Sequence, residues 1–170
     1  MKPAYDIDLL IDEMAVHLRR MLDAAEIREP AIVGIRRGGV WVAERLRTML
    51  QIEEPLGELN IAFYRDDFSR IGIHPTVEPS SLPFDVDNRD LVLVDDILYT
   101  GRTVRAAMNE IFDYGRPRSI RLAVLFDRSG RELPIQADVV GAHLSLKPRE
   151  HAKLTGPSPL ALEIHRTKST

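Results

Sequence analysis

The sequence predicts an α/β fold, with a doubly wound, mostly parallel sheet of about five strands flanked by helices. Residues 91–94 are four apolar β-formers in a row, as in a strand covered on both faces. A short polar loop follows them, and then apolar residues recur at helical spacing. Residues 31–35 lead into a second helix in the same way. Strands that alternate with helices predict parallel pairing through helical crossovers.

Length and composition favour one soluble globular domain over residues 1–170. The chain is long enough to bury a real core, 44% of it is hydrophobic and its net charge is -3. This slightly acidic balance disfavours a protein that coats nucleic acid by charge alone. Zero cysteines exclude a disulfide framework and a thiolate zinc site. Because neither a membrane-length apolar run nor a signal peptide is present, we expect a cytoplasmic protein with no membrane partner.

The remaining elements follow from capping residues and apolar periodicity. Asp6 or Asp8 can cap a first helix whose apolar residues form one stripe. That stripe comprises Leu10, Met14, Leu18, Met21 and Leu22. Further strands are predicted at 59–64, 119–126 and 137–141, with an edge strand at 160–164. Between Ser69 and Asn88 a long polar segment with three prolines predicts either a functional loop or a merely mobile hairpin.

Two carboxylates, Asp95 and Asp96, follow the central strand, and Thr100-Gly101-Arg102-Thr103 follows them. A strand, a short polar loop and a helix N-terminus form an anion site, because free backbone N–H groups and the helix dipole point into the loop. The carboxylates suit the hydroxyls of a sugar attached to a phosphate, or a magnesium ion. A solvated loop is the alternative interpretation of an Asp-Asp pair, and the flanking residues disfavour it.

A second polar loop, Arg36-Arg37-Gly38-Gly39, follows the strand at 31–35. Glycine allows the backbone to approach a ligand closely, and arginine neutralises an anion. Two anion loops at one sheet edge match a ligand with phosphates at both ends. Asp127 and Arg128 end a further strand at the same edge, where open α/β sheets bind ligands. These two side chains either contact a base or form a salt bridge with each other, and the sequence alone does not decide between the two.

The stretch Val-Leu-Val-Asp-Asp-Ile-Leu-Tyr-Thr-Gly-Arg-Thr at 92–103 resembles the phosphoribosyl-pyrophosphate (PRPP) motif of type I phosphoribosyltransferases. With Tyr99 and Arg102, it is similar to the branch of bifunctional pyrimidine operon regulators and uracil phosphoribosyltransferases. The resemblance extends to the stretches at 32–36, 63–67 and 127–134. It fades after about Gly141.

This resemblance implies a type I phosphoribosyltransferase fold with a flexible loop and a small hood, and a PRPP site. The 5′-phosphate would rest on the loop from Tyr99 to Thr103, and the pyrophosphate on the loop from Arg36 to Gly39. The carboxylates of Asp95 and Asp96 would contact the ribose and hold Mg²⁺, mostly through substrate and water. A catalytic role is implied for these two carboxylates and for Arg65. The base would contact Asp127 and Arg128.

The implied activity is transfer of phosphoribose to uracil, which gives UMP and pyrophosphate. The same resemblance implies a regulator that responds to UMP and UTP and binds the mRNA leader of a pyrimidine operon, as a homodimer or larger homo-oligomer. The arginines available for RNA, for which a solvated face is the alternative, are Arg19, Arg20, Arg116, Arg118 and Arg121.

Two other functions stay open: a non-catalytic nucleotide sensor and a purine phosphoribosyltransferase. The second is disfavoured by Tyr99. Purine enzymes of this fold commonly carry there an aspartate that handles the purine ring proton, and a neutral phenol is unsuited to that task.

Overall fold

The computed structural model describes residues 4–61 and 79–167 of the chain. Within these ranges three helices and seven strands follow one another. They are α1 (Ile7–Ala24), β1 (Ala31–Ile35), α2 (Gly38–Met49), β2 (Gly57–Leu59), β3 (Asp90–Leu98), α3 (Arg102–Tyr114), β4 (Ser119–Arg128), β5 (Val139–Leu144), β6 (Glu150–Thr155) and β7 (Ala161–Arg166). None of the described helices is long and apolar enough to cross a membrane.

In the described part of the chain, β1 to β5 form one parallel sheet in the order β2-β1-β3-β4-β5. Helices α1 and α2 cover one face and α3 covers the other, so the predicted doubly wound α/β fold is confirmed. Because all five strands point the same way, the carboxyl ends of β1, β3 and β4 meet at one edge. This edge carries the loops in which ligands of open α/β sheets bind.

The central strand β3 shows why the sheet has a core on each face. Successive side chains of a strand point to opposite sides. Val92 and Val94 therefore pack with α1 and α2, whereas Leu91 and Leu93 pack with α3. A strand buried on both faces needs apolar residues at every position, which is the pattern of this segment.

The first helix begins and packs as its sequence predicts. Asp6 is the N-cap, and its Oδ1 accepts a hydrogen bond from the backbone N–H of Leu9 at 3.1 Å. The buried stripe is centred on Ile11, Met14 and Leu18. It lies slightly to one side of the predicted stripe, so that Leu10 and Met21, both in the prediction, are only partly buried.

Two predicted strands differ in the structure. The strand predicted at 59–64 overlaps β2, which pairs with β1 over Gly57–Leu59, only at Leu59. Residues 60–61 are not strand, and residues 62–64 lie outside the described residues. The segment at 160–164 does not join the main sheet. It lies within β7, which pairs antiparallel with β6 in a separate two-stranded sheet.

The β6–β7 hairpin packs beside the carboxyl edge of the main sheet. Leu154 is buried in the core shared by α1 and α2, and Gly156 lies so close to Trp41 that an added Cβ would be 3.0 Å from the indole ring. The resemblance implied a small hood without assigning residues to it, and this hairpin is a second, small sheet beside the main one in the described part of the chain. Of the predicted flexible loop between Ser69 and Asn88, residues 69–78 lie outside the described residues.

A buried carboxylate at the opposite, amino edge of the sheet predicts a dependence of stability on pH. Asp90 is 5% exposed and accepts hydrogen bonds from Ser119 Oγ at 2.6 Å and from the guanidinium of Arg118. The Arg118 hydrogen bonds lower the pKa of Asp90 from its ordinary 3.8, against the opposing effect of burial. The stability that this carboxylate contributes is therefore complete above pH 3.8 and is lost as the pH falls through the lower folded-state pKa.

We expect Asp90→Asn to reduce the free energy of unfolding by about 1–3 kcal/mol at pH 7, because a buried hydrogen-bonded charge is lost. The difference in the free energy of unfolding between the variant and the wild type should become smaller as the pH falls below 3.8. Urea unfolding at a series of pH values measures both effects. The exposed Asp113, changed to Asn, is the control. An equal loss of stability in both variants, or a difference that does not depend on pH, would contradict the prediction.

Candidate active site

The carboxylates of Asp95 and Asp96 lie inside β3 and not in the loop after it. The strand continues to Leu98, which pairs with Asp127 of β4. Asp95 is 1% exposed, and its Oδ1 accepts a hydrogen bond from the N–H of Asp96 at 2.9 Å. Asp96 is half-buried, and its Oδ1 accepts from the N–H of Ile97 at 2.8 Å. Both carboxylates are thus held by the backbone, and a solvated loop is excluded.

The glycines of the loop at 36–39 lie directly against this carboxylate pair. A Cβ added at Gly39 would be 2.6 Å from the carbonyl oxygen of Val94 and 3.0 Å from Cα of Asp95. One added at Gly38 would overlap the carboxylate of Asp96. Only residues without a side chain allow this approach. The structure therefore brings the loop at 36–39 against the carboxylate pair, at the sheet edge that the sequence predicted.

The two arginines of this loop have different surroundings. Arg36 donates from Nε to Glu58 Oε2 at 2.8 Å, and its NH2 lies 2.7 Å from the same oxygen. Its guanidinium is thus directed towards β2. Arg37 is exposed at the N-terminus of α2, and the peptide bond between the two arginines is cis. Sequence reasoning missed Glu58, because nothing in a three-residue strand marks one carboxylate as the partner of a distant arginine.

The loop at 99–103, which we call the phosphate loop after its predicted ligand, has the backbone conformation that the sequence predicts. Gly101 is the N-cap of α3 with φ of +94°, a left-handed conformation that glycine adopts without strain. Thr100 is buried, and its Oγ1 accepts a hydrogen bond from the N–H of Arg102 at 3.2 Å. Thr103 lies in the first turn of α3, as expected. The N–H of Arg102 is thus already bonded, and the N–H groups of the next residues in the first turn, which have no intrahelical partner, point towards an anion bound in this loop.

A segment that we call the strap, residues 129–135, supports the phosphate loop from behind. The carbonyl oxygen of Thr100 accepts hydrogen bonds from the N–H groups of Glu132 at 2.9 Å and Leu133 at 3.1 Å. The Nε of Arg102 donates to Glu132 Oε2 at 2.9 Å. Residues 129–134 of the strap belong to the stretch at 127–134 that resembles the family, and that resemblance implied no role for them. Its contacts tie the loop after β3 to the loop after β4.

Asp127 and Arg128 line one cavity of about 360 Å³ at the ends of β4 and β5. Its other lining residues are Ser129, Gly130, Arg131, His143, Leu144 and Ser145. The salt bridge considered between Asp127 and Arg128 does not form. Asp127 instead accepts from Arg131 NH2 at 2.6 Å, and the guanidinium carbon of Arg128 lies 3.9 Å from the ring centroid of Tyr99, a cation–π contact. Arg131 is a near neighbour of Asp127 in the chain, at i+4, whereas Tyr99 follows β3, so spacing in sequence could not identify the partner of Arg128.

The other residues predicted to bind ligand or RNA lie away from this sheet edge or among the residues that the structure does not describe. Arg65 is among the residues that the structure does not describe. Arg116, Arg118 and Arg121 stand at the amino end of β4, away from the anion loops, and Arg118 pairs with Asp90. Arg19 and Arg20 belong to the last turns of α1 beside the end of α2.

Asp95 and Asp96 are the residues predicted to bind magnesium, mostly through substrate and water. Across 4–61 and 79–167 there is no group of three or more His, Asp or Glu side chains that could hold a metal ion. Mg²⁺ commonly binds through one or two carboxylates together with substrate phosphates and water. The donor set at Asp95 and Asp96 fits that mode of binding and does not fit an all-protein metal cage.

A five-stranded parallel sheet with two anion loops and a carboxylate pair at one edge defines a type I phosphoribosyltransferase. Residues 5–149 match the family model of the phosphoribosyl transferase domain. The bifunctional protein PyrR of Nitrosococcus oceani is 61% identical over 94% of this chain and 91% of its own length. The PyrR of Pseudomonas entomophila is 58% identical over 91% of this chain and 90% of its own. The chain belongs to the PyrR family of phosphoribosyltransferases.

Solved structures with low sequence identity share the fold. A hypoxanthine-guanine phosphoribosyltransferase from Bacillus anthracis aligns with a TM-score of 0.68 at 14% identity, over 85% of this chain and 84% of that one. A hypoxanthine phosphoribosyltransferase from Staphylococcus aureus aligns with a TM-score of 0.65 at 19% identity, over 89% and 80% of the two chains. At such identities the likeness concerns the architecture alone.

Proposed function

We propose that this protein is a uracil phosphoribosyltransferase that converts uracil and PRPP to UMP and pyrophosphate. The observation that carries the proposal is the direct packing of Gly38 and Gly39 against Asp95 and Asp96, beside the phosphate loop. A sugar that carries phosphate at one end and pyrophosphate at the other requires two anion sites on either side of a hydroxyl-binding site. The two loops and the carboxylate pair at one sheet edge support this assignment.

Each part has a task in the proposed reaction. The N-terminus of α3, with Tyr99, Thr100, Gly101, Arg102 and Thr103, binds the 5′-phosphate. The N-terminus of α2, which includes Arg37, Gly38 and Gly39, binds the pyrophosphate, and Arg36 supports that loop through its pair with Glu58. Arg65 lies outside the described residues, and its catalytic role stays a prediction.

The carboxylates of Asp95 and Asp96 contact the ribose hydroxyls. As the bond to the anomeric carbon lengthens, they stabilise the positive charge that develops on the sugar. Positioning and electrostatics carry the rate, and no covalent nucleophile is needed. These carboxylates would hold Mg²⁺ mostly through substrate and water, and the ion would neutralise charge on the leaving pyrophosphate.

The cavity at Asp127 and Arg128 is proposed to bind the base. The cavity has a volume of about 360 Å³ and opens beside the phosphate loop, and a carboxylate and a guanidinium line its wall. Uracil offers N–H donors and carbonyl acceptors that match these groups. Tyr99, whose ring lies under Arg128, offers no carboxylate for a purine ring proton.

A regulatory role is proposed for the same site. The curated relatives are named bifunctional, and bound UMP or UTP would report the pyrimidine supply. We propose that the protein, as one domain per chain in a homodimer or larger homo-oligomer, binds the mRNA leader of a pyrimidine operon in the cytoplasm. Arg19, Arg20, Arg116, Arg118 and Arg121 are candidates for this surface. RNA affinity should then fall steeply with salt, and no binding at low salt would refute the RNA role.

The test of the enzyme is pyrophosphate release from PRPP and Mg²⁺ with uracil, hypoxanthine and guanine as separate acceptors. We expect turnover with uracil and little with either purine, because of Tyr99. Turnover with hypoxanthine or guanine would make it a purine enzyme. No turnover with any base, together with measurable UMP binding, would make it a non-catalytic nucleotide sensor.

A further inference from the structure

Arg131 connects the base cavity to the phosphate loop. Its NH2 donates to Asp127 Oδ1 at 2.6 Å, and its Nε donates to the carbonyl oxygen of Ile135 at 2.8 Å. A third hydrogen bond runs from NH1 to the carbonyl oxygen of Tyr99. One guanidinium thus joins the end of β4, the far end of the strap and the end of β3. Its side chain is 25% exposed.

The partners of Arg131 belong to different halves of the site. Asp127 lines the base cavity. Tyr99 directly precedes Thr100, whose carbonyl oxygen is held by the strap, and so its carbonyl stands at the start of the phosphate loop. A guanidinium is planar and presents its donors in a fixed geometry. Movement of one half of the site therefore strains hydrogen bonds to the other half.

Other contacts make the linkage stiff. A Cβ added at Gly101 would be 3.4 Å from the Cβ atoms of both Leu133 and Ile135, ordinary van der Waals distance from the strap. Arg102 pairs with Glu132 on its outer side. The phosphate loop thus has the strap as its rear wall, and Arg131 anchors that strap to the base cavity.

We propose that Arg131 is a positioning residue that couples the base cavity to the 5′-phosphate loop, so that occupancy of either one raises the affinity of the other. The identity of the base as uracil rests on the proposed function. The coupling itself is a property of the binding site and does not require turnover. Because of this coupling, a nucleotide that carries both base and phosphate gains binding affinity that neither half gains when it binds alone.

Isothermal titration calorimetry of ribose 5-phosphate, with and without saturating uracil, measures the coupling. In the wild type we expect uracil to raise the affinity for ribose 5-phosphate by about fivefold or more, within the usual range of coupling between sites. In Arg131→Ala this factor should fall to about 1. Arg131→Lys keeps the charge but loses the three-way geometry, so its factor should also fall towards 1.

The control is Arg105→Ala, which removes the same charge from an exposed position on α3. It should keep the wild-type coupling factor. If Arg131 only supported the fold, its variants would bind both ligands more weakly and retain the factor. A retained factor in the Arg131 variants, or an affinity for ribose 5-phosphate that does not respond to uracil in the wild type, would overturn the proposal.

The outcomes separate this proposal from the proposed function. Turnover with uracil alongside an unchanged coupling factor in the variants would leave the enzyme standing and remove the role of Arg131. Coupling that is lost in the variants, without turnover by the wild type, would keep the role of Arg131 in a nucleotide sensor.

Discussion

The double variant Asp95→Asn, Asp96→Asn is expected to lower turnover of PRPP with uracil on the order of 10³-fold. Both side chains would keep their size and an oxygen that can accept the N–H groups of Asp96 and Ile97. The negative charge that stabilises the sugar in the transition state would be lost. Steady-state pyrophosphate release at saturating substrates measures the effect.

A change of fold must be separated from this loss of charge. The exposed Asp12 and Asp113, both changed to Asn, give a control with the same net charge as the active-site variant. Turnover of the control should stay near that of the wild type. If the active-site variant retained wild-type turnover while its circular dichroism spectrum was unchanged, the carboxylates would have no catalytic role.

Gly39→Ala is expected to lower turnover about 10²-fold, because displacement by about 1 Å at a reacting centre can cost that much. The added methyl would lie 2.6 Å from the carbonyl oxygen of Val94, a backbone atom of a central strand that cannot rotate away. The loop of Arg37 to Gly39 must then move away from Asp95. We expect a raised KM for PRPP together with a lowered kcat, measured by steady-state kinetics.

Gly141→Ala is the matched control for this clash. A Cβ there would lie 2.5 Å from the carbonyl oxygen of Leu125, so its conflict with a neighbouring strand is similar. Gly141 lies in β5 against α1, apart from both anion loops. The control should lose stability in urea unfolding and keep most of its turnover at 25 °C. Equal losses of turnover in the two folded variants would show that the position of the Gly39 loop is not decisive.

Most of the architecture was predictable because it depends on local patterns. The apolar runs of β1 and β3 could be covered only in a parallel sheet with helices on both faces. Asp6 marked the start of α1, and Gly101 marked the turn into α3. The outer strands were less predictable. The short β2 pairs with β1, and its Glu58 also forms a β-bridge with Ser81. Strand β7 pairs with β6. The first and last residues of β2 and β7 therefore depend on their pairing partners and not on the sequence pattern.

The candidate site also has residues that the sequence pattern predicts and contacts that only the structure reveals. Adjacent residues marked Asp95, Asp96 and the loop at 100–103, and the structure gathers them with the Arg36–Gly39 loop. Their chemical roles stay predictions. Spacing in sequence left the partners of Asp127 and Arg128 open, and the structure pairs them with Arg131 and Tyr99.

The sequence by itself determined helices α1, α2 and α3 and the inner strands β1, β3 and β4, and which loops carry charge and glycine at the ligand-binding edge. The tertiary structure alone decided that Arg36 pairs with Glu58 and that Arg131 links Asp127 to Tyr99. The physical reason is the range of the interactions. Periodicity and capping act within a few residues, whereas the Arg36–Glu58 and Arg131–Tyr99 pairs join residues 22 and 32 positions apart, which only the fold brings within hydrogen-bond distance.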